Sequence, residues 1–258
     1  MKKALLVATL ISACLAFGGE RDKDKDKDKK APASKIVDSG SFGIYMNGKR
    51  IGTETFRISQ GAEMSTVTSE IKVDAGTTKA IQESEMQVAP NGNLKVYTWR
   101  SSAPQKEESV VEPKDQFLVE HITPADQKRH EVPYILPLST VILDDNFFTH
   151  REVLIWRYLA AGCDRQMVCT ASQFSFLSPH QHASGTARIE LVGRDKVNFK
   201  GTERELNKIK LDLYDGSPVI HIINESAAEA THWLLWVDDS YMVVKMAVAN
   251  DSLEVVRD

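Results

Sequence analysis

The sequence lacks the common local signatures of catalysis. No glycine-rich phosphate loop follows a strand-like run, no serine stands in a nucleophile-elbow motif, and no His-Glu pair has the zincin arrangement. The reading is therefore of a noncatalytic chain with no catalytic residue, metal or cofactor. Positive charge is short as well: the net charge is −4 over 258 residues, and the basic residues are dispersed, with no stripe of lysine, arginine and aromatic side chains, so no nucleic-acid partner is expected. Cysteine is scarce, with only Cys14, Cys163 and Cys169 present, and the short Cys spacing and second ligand pair of a zinc site are missing.

Other chemistry-bearing residues have plainer explanations. His180-Gln181-His182 brings two imidazoles together but has no third ligand at diagnostic spacing, and reads as a polar surface loop. Glu83 and Glu85 share a strand face, whereas paired-carboxylate hydrolysis needs a partner across a cleft. Asp238-Asp239 falls where a hairpin turn is expected.

What is present begins with an address. Met1-Lys2-Lys3 precedes the apolar run Ala4 to Ala13, which has the form of a secretory signal and is too short for an ordinary membrane span. Leu10-Ile11-Ser12-Ala13-Cys14 resembles the bacterial lipobox, which makes residues 1–13 the signal peptide and Cys14 the lipid anchor to a bacterial membrane. Cleavage after Ala16, giving a soluble periplasmic protein, is the rival. From Glu20 to Lys30 the chain is almost pure alternating Asp and Lys, which buries too little apolar area to offset its ordering entropy. Residues 14–38 are read as a lipidated N-terminus and disordered tether, and 39–258 as a single β-rich domain. On the periplasmic side of the envelope Cys163 and Cys169 are free to form a disulfide, although two separate buried thiols fit the same residues.

The folded part reads mainly as strands. Asn47-Gly48 between Ser41 and Ile58 marks a tight hairpin in which a two-residue turn sets Ile44 opposite Ile51. Phe56 and Ile58 have the opposite parity from Ile51, so the second strand either changes face at a bulge or bend near Gly52 or is covered on both sides. A meander follows through Val67 to Val73, Ile81 to Val88 and Leu94 to Trp99, then a loop over Ser101 to Pro113 and a strand over Gln116 to Ile122. Val132 to Leu138 is apolar but broken by proline, which suits an edge segment or a buried irregular crossing. One helix is expected over Arg151 to Ala160, with Thr149 and Glu152 at capping-box spacing and Gly162 as its stop. After Thr170 to Leu177, an antiparallel tail runs from Thr186 through Leu253 to Val256, with turns at Gly193-Arg194, Asp215-Gly216, Asp238-Asp239 and Asn250-Asp251.

Tyr45 to Phe56, containing Asn47-Gly48-Lys49-Arg50-Ile51-Gly52, resembles the opening of exported bacterial β-rich proteins of unknown function. Trp236-Val237-Asp238-Asp239 followed by Tyr241-Met242-Val243-Val244-Lys245-Met246 resembles their closing hairpin, and Leu206 to Asp212 adds to the likeness. A looser similarity extends to curved-sheet envelope lipoprotein carriers and sensors. The expected fold is thus mainly β, a large curved antiparallel sheet or open barrel with one principal α-helix at its mouth. Trp99, Phe147, Phe148, Trp156, Phe174, Phe176, Trp233 and Trp236 are the candidate lining of an apolar concavity. The corresponding function is binding of an acyl or other amphipathic ligand. The alternative is an anchored scaffold that binds an envelope protein on a sheet edge, without a cavity.

Overall fold

The computed structural model describes residues 34–76, 78–125, 128–215, 230–248 and 252–258. The signal peptide, Cys14, the tether up to residue 33, residues 216–229 of the expected antiparallel tail and the Asn250-Asp251 turn lie outside them. All described residues belong to one compact unit, Pro32–Asp258.

The chain enters the sheet at its middle. From β1 (Lys35–Met46) it steps outward through β2 (Lys49–Gln60), β3 (Ser65–Ala75), β4 (Thr78–Val88), β5 (Leu94–Ala103), β6 (Glu107–Lys114) and β7 (Phe117–Pro124) to the edge strand β8 (His130–Tyr134). It then crosses to the opposite edge at β9 (Val141–Ile142), passes through α1 (Thr149–Gly162), and returns through β10 (Ser172–Ser178), β11 (Ala183–Phe199), β12 (Thr202–Asp215), β13 (Thr231–Val237) and β14 (Val243–Val248) to β15 (Leu253–Arg257). β15 pairs with β1. The described strands form one 15-stranded sheet, antiparallel except for the β9–β10 pair. Its two edges are not bonded to each other, so the sheet is rolled but open. Both edges are short, and Pro133 sits in one of them, which leaves little free backbone for pairing with another chain.

Alternation along the strands builds the interior. Ile58, Val67, Met86, Tyr97 and Val111 stand directly opposite one another across β2 to β6 and are all buried. Removing each such side chain from water contributes roughly 1.5–3 kcal/mol before ordering costs are subtracted. A second row, Ile209, Leu235, Met246, Val255 and Ile44, runs across the other half.

The first hairpin has the expected turn, with Asn47 and Gly48 at φ of 49° and 75°. Its register shifts beyond Tyr45↔Arg50, so Ile44 faces Gly52 and Ile51 is the extra residue. That bulge restores the parity that buries Phe56 and Ile58. The turn at Gly92 and the strands beside it also follow the expected pattern.

Other elements differ from expectation. β1 begins at Lys35, so residues 35–38 belong to the sheet, and Asp38 pairs with Arg257. Glu107–Lys114 is a strand where a loop is expected: Ser109 and Val111 are buried, and Glu108, Val110 and Glu112 alternate with them as the less buried residues. β11 runs straight through Gly193 and makes no turn there; Val192 is the extra residue of a bulge between Leu191 and Gly193. At α1, Thr149 and Glu152 do not form a capping box, since the N-cap is Phe148 and has no side-chain cap. Gly162 lies inside the helix, where a Cβ would come within 2.6 Å of Ser172 Oγ, so close packing explains it.

Candidate functional site

The first turn of α1 is sunk inside the rolled sheet even though Thr149, His150, Arg151 and Glu152 are all polar and all buried. Such a turn needs dedicated partners. Glu54 of β2 supplies the first: its carboxylate accepts from Phe148 N at 2.8 Å, Thr149 N at 3.2 Å, Thr149 Oγ1 at 2.7 Å and Ser69 Oγ at 2.6 Å. A carboxylate at a helix N-terminus is favoured by the dipole as well as by these bonds. Burial nevertheless raises the Glu54 pKa, with the hydrogen bonds opposing it.

Glu152 provides the second anchor. Its Oε2 accepts from Val243 N at 3.2 Å and lies 3.6 Å from Arg257 Nη1, while Arg257 also holds Asp38. Burial first, and the neighbouring Asp38 second, push Glu152 up to about 10, so it is protonated at neutral pH. For Asp38 burial works against the charge, but the hydrogen bond from Glu152 and the Arg257 guanidinium outweigh it and hold that carboxyl below its usual range. The interaction between the two carboxyl groups thus raises Glu152 and lowers Asp38.

With its start fixed, one face of α1 becomes the wall of a cavity of about 780 Å³. His150, Val153, Leu154, Arg157, Ala160 and Ala161 line it at the three- and four-residue spacing of one helix face. Opposite stand two cross-strand rows: Ile58, Val67 and Met86, and then Gln60, Ser65, Val88 and Leu94. Val141, Ile142, Trp156 and Phe174 complete the apolar lining. Pro90, Asn91, Ala160, Ala161 and Ser240 are exposed and mark the mouth, whereas Thr140 and His150 are only 2% and 1% exposed.

Two polar features stand out against these walls. Arg157, half-buried near the mouth, donates from Nη1 to Gly92 O at 3.0 Å and lies 5.5 Å from the Phe174 ring, but forms no ion pair among the described residues. Burial lowers its pKa without removing its charge. About 10 Å deeper along the helix, His150 Nδ1 accepts from Asp144 N at 3.3 Å, which puts the ring proton on Nε2. Burial, then the adjacent Arg151 charge, hold His150 down at about 3, so the ring is neutral. His150 Nε2 and Thr140 Oγ1 are both buried without a hydrogen-bond partner among the described residues.

Asp144 organises this deep end. It accepts from Tyr97 OH at 2.6 Å, His180 N at 3.1 Å and Ser178 Oγ at 3.2 Å, and burial raises it to about 6 against those bonds. Two residues beyond His180, His182 Nδ1 lies 3.2 Å from the buried Glu120 of β7, which also accepts from Tyr134 and Ser109.

The expected aromatic lining is divided. Trp156 and Phe174 line the large cavity, and Phe148 and Trp233 line a separate pocket of about 290 Å³. Phe147 and Phe176 are buried in the main core, and Trp99 packs edge-on to His180 at 5.1 Å. Trp236 belongs to a separate cluster with Leu206, Val244 and Ala247. Cys163 and Cys169 are disulfide-bonded, with S–S 2.01 Å, immediately beyond the helix end. The sequence reading missed Arg157, His150 and Thr140. The helix periodicity places Arg157 and His150 on one face, but nothing in the sequence reveals Thr140.

No group of three or more metal-ligating side chains and no helix long and apolar enough to cross a membrane occurs among the described residues. The fold and cavity define a class: an open, rolled antiparallel sheet with a helix inserted in it and an apolar chamber between the two. No protein-family model matches the sequence, and no curated protein sequence matches it. Among solved structures the chain is similar to a β-barrel-like protein of a domain of unknown function, DUF1849, from Brucella abortus. The TM-score is 0.50 at 7% identity, over 85% of this chain and 94% of that one. The likeness is one of fold, and it agrees with the resemblance to β-rich bacterial proteins of unknown function.

Proposed function

We propose that the chain is a noncatalytic protein of the bacterial envelope that binds a lipid or other amphipathic molecule between α1 and the β1–β5 wall. The observation that carries this reading is the apolar cavity of about 780 Å³ with Arg157, which has no ion pair among the described residues, near its mouth. Apolar walls suit an acyl chain, and a half-buried guanidinium at the entrance suits an anionic headgroup. The secretory signal, the lipobox-like Cys14 and the tether support delivery to the periplasmic side, held at a membrane. The rival scaffold reading calls for a side-chain-filled interior, so a chamber of this size favours the carrier or sensor.

Native mass spectrometry of the protein recovered from an envelope extract tests the proposal, with a stoichiometric bound lipid as the expected result. In the same protein a fluorescent fatty acid should be displaced by that lipid, and Arg157→Gln should weaken probe binding about tenfold, the effect of one charge-assisted contact. An empty protein that also ignores the probe would move the assignment to the scaffold.

A further inference from the structure

The opposite side of α1 carries a second guanidinium in a different setting. Arg151 is 1% exposed, and a buried charge is costly unless it is paired. The only hydrogen bond of its guanidinium among the described residues is a long one, from Nη1 to Phe147 O at 3.5 Å, and Nε has no partner among them. The nearest carboxylate is Asp145, 3.9 Å from Nη2, which is beyond hydrogen-bond distance; Asp145 is itself half-exposed and accepts from Gln181. Glu54 and Asp144 are near enough to favour the charge, but their oxygens are taken by Thr149, Phe148 and Ser69 in one case and by Tyr97, Ser178 and His180 in the other.

The guanidinium is nevertheless held in place. Its carbon lies 4.3 Å from the Trp233 ring centroid and 5.3 Å from that of Phe148, so aromatic contacts orient it while leaving the Nε–Nη2 edge without a hydrogen bond. Arg151 lines the pocket of about 290 Å³, whose other walls include Ile44, Ile71, Val73 and Leu253. That volume lies at the small end of ligand sites. A planar group with two acceptor oxygens matches the guanidinium edge, and the branched apolar walls match a compact hydrocarbon body. We infer that this pocket is a second binding site, separate from the large cavity, for a small monocarboxylate with a branched or aromatic body. The acid takes up the Nε–Nη2 edge, and Asp145, on the same pocket wall, is its competitor.

The test uses isotope-labelled full-length protein, titrated with isovalerate and benzoate and, in parallel, with isovaleramide and benzamide. The acids should shift the Arg151 Nε–H and Trp233 indole signals saturably at millimolar concentrations, and the amides should not. Asp145→Asn should tighten acid binding several-fold by removing the competing charge, whereas Arg151→Lys, which keeps the charge but loses the fork, should weaken it at least tenfold. A long-chain fatty acid bound in the larger cavity should shift neither signal. Equal responses to acid and amide, no saturable response, or acid binding indifferent to Arg151→Lys would each overturn the inference. If Arg151→Lys does not fold, the acid-against-amide comparison in the wild-type protein and the response of Asp145→Asn decide it.

Discussion

Individual residues in the chamber carry costs that substitution can measure. Thr140 Oγ1 is buried without a partner among the described residues, so Thr140→Val should remove an unsatisfied hydroxyl at almost constant volume and raise stability by about 1 kcal/mol in urea unfolding. A loss of stability would mean that the hydroxyl is hydrogen-bonded inside the chamber. Glu152 gives a pH signature. In the folded protein it keeps its proton to about 10, whereas the ordinary value is 4.5, so the folded chain binds the extra proton throughout that interval. Its contribution is therefore full below pH 4.5 and declines as pH rises toward 10. Glu152→Gln copies the protonated form, and its stability relative to wild type should improve steadily between about pH 5 and pH 9. A gap that does not change with pH would show that Glu152 is ionised in the folded state.

Among the elements, strands were easier to read than their connections. Alternation located β2 to β5 and most of β10 to β15, and the parity conflict between Ile51 and Phe56 announced the bulge later seen opposite Ile44. Ser101 to Pro113 hid β6 because its inward residues include Ser109, whose burial is balanced by a 2.6 Å bond to Glu120 on the next strand. No local pattern encodes that partner. The same holds for α1: its periodicity is legible, but its true cap, Glu54, is contributed by a strand about a hundred residues earlier, and its bonds to Phe148 and Thr149 help to hold the helix inside the sheet. The far end of the helix is fixed covalently. Cys163 follows Gly162, and Ala160 and Ala161 form part of the mouth, so the disulfide steadies one lip. Replacing both cysteines with serine should lower stability by about 2 kcal/mol, the loop-closure contribution for a short ring, and should speed release of a bound fatty-acid probe. Unchanged release would separate the disulfide from the working of the mouth.

For the whole molecule, the decisive feature is that the strands farthest apart in sequence, β1 and β15, are neighbours in the middle of the sheet, while the middle of the chain lies at its edges. Arg257, bonded to Asp38, and Asp258, bonded to Arg50, fasten that join. Deleting residues 253–258 should therefore abolish cooperative unfolding, measured by circular dichroism against temperature. A circular permutant opened at Ile135, which is 96% exposed, should fold if a flexible linker spans the roughly 20 Å from Asp258 to Lys35. Failure of that permutant alongside a folded truncation would reverse the assignment of the join. The order of strands also sets a timetable for synthesis. As the chain emerges, β1 to β8 can pair with one another in sequence, but the second edge of β1 has no partner until β15 is made. During that interval the growing polypeptide carries a long open row of amide and carbonyl groups at what will become its centre, and another nascent copy could pair there. A chain with this wiring needs to be kept apart from its siblings until β15 has been made and has paired with β1.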